Sequence, residues 1–161
     1  MATLVVPKLF QRTTSPMQTF VEELNNLVRA GSFEALTNGQ AYRVTFDFKG
    51  NRNVVLETSS QQDAQKNAQE IKYFPVSLPQ AKTDIEIPDD EEIEFKHLFI
   101  ENKDELSGGL TTKKTWFYIN AEGMVQEVTI VLADKKTGVT VSLVSNPFSG
   151  QLVEYEGIKK T

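Results

Sequence analysis

The sequence predicts an α+β fold in which one long N-terminal amphipathic helix packs on antiparallel β-sheet, arranged as a meander or a sandwich. Three observations predict it. Between Ser15 and Asn38 apolar residues recur at helical spacing. From Tyr42 onward they alternate with polar residues. Through the last third, turn signals recur roughly every ten residues, the spacing of a meander or sandwich. A helix followed by a run of strands, without strand–helix alternation, is the α+β pattern.

The helix has a start, a face and a stop. Ser15 suits the N-cap, Pro16 the first helical position, and Gln18 completes an S-x-x-Q capping box. Met17, Phe20, Val21, Leu24, Leu27 and Val28 fall on one face. Gly31 interrupts the pattern, at about 1 kcal/mol relative to Ala, and Phe33, Ala35 and Leu36 resume it. Asn38-Gly39 is a stop, because glycine readily takes the left-handed conformation after a helix. A single apolar face implies that a flat surface covers it.

Strands follow. Tyr42, Val44, Phe46 and Phe48 alternate with Arg43, Thr45 and Asp47. A turn at Lys49-Gly50-Asn51-Arg52 leads to a returning strand from Val54 to Glu57. Ser59 to Glu70 is polar and Gln-rich, and reads either as a surface loop or as a short solvated helix. Pro75, Pro79 and Pro88 mark irregular or edge backbone. Ile93, Phe95, Leu98 and Ile100, with Lys96 among them, predict a strand. Three further strands are predicted at Thr115–Ile119, Val125–Leu132 and Val139–Leu143, and a last short one at Leu152–Tyr155. Val128, Ile130 and Leu132 are expected on one face of the second of these. Asn120–Gly123, Asp134–Gly138 and Asn146–Gly150 are the turns.

Composition limits the chemistry. With 161 residues, 39% hydrophobic and 24% charged, the chain fits one globular domain with its own core. It has no cysteine and one histidine, His97, so thiolate catalysis and Cys-based metal sites are excluded. The net charge is −5, and Asp84–Glu105 alone carries ten acids and two lysines. The rest of the chain has 12 acids and 15 bases. A nucleic-acid partner is not expected of such a balance. No run is long enough to span a bilayer, and no signal peptide is visible. The start from Ala2 to Phe10 is nonetheless apolar.

The candidate motifs each have a plain structural reading. Asp89-Asp90-Glu91-Glu92 has carboxylates suited to calcium, but their spacing is consecutive. A solvated acidic loop after Pro88 is the preferred reading; such a loop could also meet a basic partner. His97 has no nucleophile motif to serve and reads as structural. No carboxylate pair stands out for hydrolysis. Ser107-Gly108-Gly109 lacks the lysine of a phosphate loop. Trp116, Phe117 and Tyr118 could line a sugar or peptide site, but consecutive strand residues must split between two faces. Lys113-Lys114, Lys135-Lys136 and Lys159-Lys160 read as solubilising charge. No catalytic, metal-binding or cofactor-binding residue is assigned.

Two stretches together resemble a known family. The first is TLVVPKL running into the helix, then A-L-x-N-G-Q-A-Y-R-V-x-F at the helix–strand junction. The second is W-F-Y-I-N-A-E-G-M-V, VTIVLADKKTGVTVSLV and NPFSGQLVEY. They resemble the soluble part of type IV pilin-like proteins. More narrowly, they are similar to the minor pseudopilin H family of bacterial type II secretion systems. Residues 59–90 read as a variable insertion.

That resemblance implies a non-enzymatic filament subunit that assembles with other pseudopilins and secretion-system components to drive export across the outer membrane. The native chain would be anchored in the inner membrane by an N-terminal helix, with this domain in the periplasm. Residues 1–14 would be the remnant of that helix, or an added start, and 15–161 one pilin-like domain: helix over 15–39, β-rich over 40–161. Leu4, Val5, Val6, Pro7, Leu9 and Phe10 are the expected helix-core contacts. Asp89, Asp90, Glu91 and Glu92 are expected to contact a partner. Two other roles stay open: a minor type IV pilin in pilus assembly or DNA uptake, and a secreted ligand-binding domain.

Overall fold

A computed structural model describes residues 15–59, 71–107 and 113–157. Helix α1 spans Pro16–Asn38. Ser15 is extended, and its Oγ accepts a hydrogen bond from the Gln18 N–H at 3.1 Å. That satisfies one of the donors left open at a helix start. Gly39 is left-handed at φ 66°, and its N–H donates to the Ala35 carbonyl. Both ends of the helix therefore fall where their sequence signals place them.

The buried stripe differs from expectation past the third turn. Met17, Phe20, Val21, Leu24, Leu27 and Val28 are buried. Phe33 and Leu36, expected to resume that face, are 61% and 65% exposed. The stripe continues through Gly31 and Ala35 instead. Here the helix comes closest to the sheet: a Cβ on Gly31 would lie 2.8 Å from a Leu56 methyl and 2.9 Å from an Ile119 methyl. Gly31 is thus the contact point of the helix, and no interruption of its buried face. Phe33 and Leu36 lie on the exposed seam of Glu22, Asn26 and Arg29, spaced three and four apart as one helix face requires.

The strands are β1 (Tyr42–Asp47), β2 (Asn53–Ser59), β3 (Tyr73–Pro75), β4 (Asp84–Glu86), β5 (Ile93–Ile100), β6 (Lys103–Asp104), β7 (Lys114–Ile119), β8 (Val128–Asp134), β9 (Thr140–Asn146) and β10 (Gln151–Glu156). They form two antiparallel sheets. One has the order β3-β2-β1-β7 with β4 also paired to β2; the other runs β10-β9-β8-β5-β6. Helix α1 packs on β1, β2, β4 and β7 of the first sheet and on edge strand β10 of the second. Strands β3, β4 and β6 have two or three residues each, too short to show a period. In β8 both faces are buried, so Val128, Ile130 and Leu132 do not mark a single buried face. Val125 lies outside β8 and forms an isolated bridge to Ile119.

Alternation in β5 slips at Lys96. The register against β8 shifts between Phe95 and His97, a bulge that keeps Phe95 and Leu98 directed at the core. The layers meet at aromatic rings. Phe95 of β5 packs edge-to-face on Phe20 of the helix at 5.7 Å and on Phe46 of β1 at 6.2 Å. Helix and sheets thus share one hydrophobic core.

Candidate partner-contact surfaces

Leu4, Val5, Val6, Pro7, Leu9 and Phe10 lie outside the described residues. Among the described residues no helix is long and apolar enough to cross a membrane.

The acidic loop between β4 and β5 is built from its own side chains. The Asp89 carboxylate accepts from the Glu91 N–H at 3.0 Å, and its carbonyl accepts from the Glu92 and Ile93 N–H groups. Asp90 pairs with Arg52 at 3.1 Å. The same guanidinium donates to the Pro88 and Phe48 carbonyls at 2.9 and 3.2 Å, so one side chain ties this loop to the β1–β2 turn. The Glu92 carbonyl accepts from the Lys135 N–H at 3.0 Å. Asp89, Asp90 and Glu91 remain exposed. No group of three His, Cys, Asp or Glu side chains among the described residues could hold a metal.

His97 has a carboxylate partner. Its Nδ1 lies 2.8 Å from Asp104 Oδ2, and its ring stacks on Phe99 at 5.2 Å. Asp104 also accepts from the Leu98 and Leu106 N–H groups at 3.2 and 3.0 Å. Burial pushes the Asp104 carboxyl up, but the His97 hydrogen bond and the two amides outweigh it. The net effect holds Asp104 below the usual carboxylate range. The pair closes the β5–β6 hairpin around its Glu101-Asn102 turn, where both φ angles are positive.

The aromatic run splits between faces as strand geometry requires. Phe117 is fully buried, and Trp116 and Tyr118 are exposed. Arg43 lies over the Tyr73 ring at 4.1 Å and the Trp116 ring at 4.6 Å. It also pairs with Glu57 at 2.7 Å. The Trp116 indole donates to the Tyr118 hydroxyl at 3.0 Å. Burial, with Tyr118 adding to it and Arg43 opposing, holds the Tyr73 hydroxyl above the usual phenol range. The polar groups of this outer face satisfy one another, which makes it a cross-strand ladder.

One surface escaped the sequence reading. Two turns converge on Ser32 of the helix. Its hydroxyl donates to the Gly123 carbonyl. A Cβ on Gly123 would lie 2.9 Å from the Ser32 carbonyl, and one on Gly150 would lie 2.7 Å from Ser32 Cβ. Asn120 and Asn146 shape these turns by accepting from amides two residues on, at 3.0 and 2.9 Å. The turns carry Met124 and Phe148, 43% and 93% exposed, and a Cβ on Gly123 would lie 3.4 Å from Leu36 Cβ. The signal available in the sequence was the small pair Gly31-Ser32 inside an otherwise bulky helix.

No family model matches the sequence, and no curated protein matches it either. Solved structures do resemble it. One structure of the minor pseudopilin EpsH from the type II secretion system of Vibrio cholerae superposes with a TM-score of 0.55. It covers 86% of this chain and 94% of that chain at 11% identity. A second EpsH crystal structure gives a TM-score of 0.54 over 85% and 93%, again at 11% identity. Of the family expected from the sequence, the architecture is therefore present: this chain has the pilin-like α+β fold of the minor pseudopilin EpsH.

Proposed function

We propose that this chain is the globular domain of a minor pseudopilin in a bacterial type II secretion system, a non-enzymatic subunit of an envelope filament. The observation that carries the proposal is the superposition on EpsH over nearly all of that chain. The helix–strand junction A-L-x-N-G-Q-A-Y-R-V-x-F supports it. Ala35 accepts the capping bond of Gly39, and Val44 and Phe46 are fully buried, so those positions have the roles that the fold needs.

In this reading the full-length protein is anchored in the inner membrane by an apolar helix ending in Leu4–Phe10, with the domain in the periplasm. Leu4, Val5, Val6, Pro7, Leu9 and Phe10 pack in the filament core. Asp89–Glu92 and the apolar residues Phe33, Leu36, Met124 and Phe148 face neighbouring pseudopilins. The test is co-assembly. The domain, with and without a restored apolar helix, is mixed with its sibling pseudopilins and read by analytical ultracentrifugation. Complex formation that weakens in Phe33→Ser and Phe148→Ser variants is expected. Failure to bind any sibling in either form rejects the proposal.

A further inference from the structure

We infer that Phe148 of one copy of this chain seats in the cleft between the β1–β2 turn and the acidic loop of a second copy, joining copies head to tail. The inference goes beyond the assembly reading: the contact is between copies of this chain and needs no sibling subunit.

The knob is rigid and uncharged. Phe148 is 93% exposed, so nearly all of its ring carbon is left for a partner to cover. Its turn is fixed on both sides. Asn146 Oδ1 accepts from the Phe148 N–H at 2.9 Å, and Gly150 is wedged against Ser32 of the helix. Pro147 locks a backbone angle between them. A fixed turn lowers the ordering cost of binding. No charged residue stands between Lys136 and Glu154.

The hole has an aromatic floor. Its volume is about 520 Å³, within the range of ligand sites. Phe48, Phe95 and Leu106 line the floor, each partly buried and packed on the core. Phe48 and Phe95 meet edge-to-face at 5.2 Å, and a third ring can join them in the same manner. Charges of both signs surround the floor. Lys49, Arg52, Lys96 and Lys135 share the rim with Asp90 and Glu94. The acidic loop that makes one wall adds Asp89, Glu91 and Glu92. Arg52 is paired with Asp90 and Lys96 with Glu94, at 3.1 and 3.3 Å. Such a rim repels a strongly charged occupant of either sign at some point of its circumference and favours one that carries no charge. An aromatic side chain on an uncharged turn fits that requirement.

The fold places knob and hole at opposite ends. Phe20 of the helix packs on Phe95 at the floor, whereas Ser32 touches the turn of Phe148. About 18 Å of helix separates them. Strand β9 likewise runs from the turn that holds Lys135 to the turn that holds Phe148. Phe148 therefore cannot reach the cleft of its own chain, and the same chain supplies both halves of the contact. A contact between different patches of two copies is heterologous, the kind that repeats along a ring or an open filament.

The test uses the whole chain with no sibling present. Amide NMR and sedimentation velocity follow it from about 0.05 to about 2 mM, the range for a weak single-site contact. Residues 146–150 and residues 48, 95 and 106 should shift together with one concentration dependence. Phe148→Ser removes the knob and Leu106→Arg obstructs the hole, and each should weaken self-association about tenfold or more. Mixed in equal amounts, the two variants should pair with close to the parent's affinity, because each supplies the half that the other lacks. Should Leu106→Arg fail to fold, the peptide acetyl-Asn-Pro-Phe-Ser-Gly-amide is titrated into Phe148→Ser. Saturable shifts are expected at residues 48, 95 and 106, and none with acetyl-Asn-Pro-Ser-Ser-Gly-amide. Parent-like self-association of Phe148→Ser, shifts confined to residues 146–150, absence of any concentration dependence, or equal binding of the serine peptide overturns the inference. Sibling binding without self-association rejects this contact alone, and self-association without sibling binding rejects co-assembly alone.

Discussion

Gly138 and Gly150 both hold positive φ, 74° and 61°, yet their surroundings differ. Nothing lies within 4 Å of a Cβ built on Gly138, whereas one on Gly150 meets Ser32. Gly138→Ala should therefore lose only the left-handed backbone preference, about 1 kcal/mol. Gly150→Ala should lose that and strain the helix contact, about 3 kcal/mol in all. Urea midpoints of the two variants check the difference; equal values would mean that Ser32 moves aside freely. Asp104 gives a second residue-level prediction. Its folded carboxyl titrates below the ordinary carboxylate range, so its charged form stabilises the fold above that range. The stability is lost as pH falls through the depressed folded value. Asp104→Asn should therefore be less stable than the parent near neutrality, with the gap narrowing below about pH 4 in acid-unfolding curves.

At the scale of elements, edge strand β10 is held by one side chain of the helix. Asn25 donates to the Leu152 carbonyl at 3.1 Å and accepts from the Leu152 N–H at 3.2 Å. Its amide occupies the position that a neighbouring strand would fill, so it blocks edge pairing there and docks the helix on the second sheet. Asn25→Ala should cost about 2 kcal/mol, two partly buried hydrogen bonds. Amide exchange at Leu152 should speed up selectively; unchanged exchange there would rule out the clamp. The helix also determines what its glycine does. Gly31→Ala improves helix propensity by about 1 kcal/mol, but the new methyl pushes on Leu56 and Ile119 at under 3 Å. Overpacking of about 1–3 kcal/mol wins or cancels, so no stabilisation is expected in thermal melts.

Across the whole molecule, the helix and the two sheets are joined through Phe95. Its ring lies within 5.2 to 6.2 Å of Phe20, Phe46 and Phe48, which belong to the helix and the β1 side of the first sheet. Removing it empties the junction of all three layers. Phe95→Ala should cost about 3 kcal/mol. If the layers depend on this junction for cooperativity, the urea transition should also broaden, with a smaller m-value. A sharp, parent-like transition at an unchanged midpoint would show that the layers are joined elsewhere.

Local chemistry and period were enough to determine the fold class, both ends of the helix and most strands. Each depends on neighbours a few residues apart: a cap, an alternation, a glycine that bends left. The sequence also required Trp116, Phe117 and Tyr118 to split between the two faces of a strand; that Phe117 is the inner one came from the sheet. What it could not show was long-range. Phe33 and Leu36 matched a helical period, but only the approach of Leu56 and Ile119 to Gly31 decided that the buried stripe runs through small residues. The two turns that grip Ser32 lie 91 residues along the chain or farther. Spacing along a chain encodes local geometry, and a surface made by distant segments exists only after the sheets have paired.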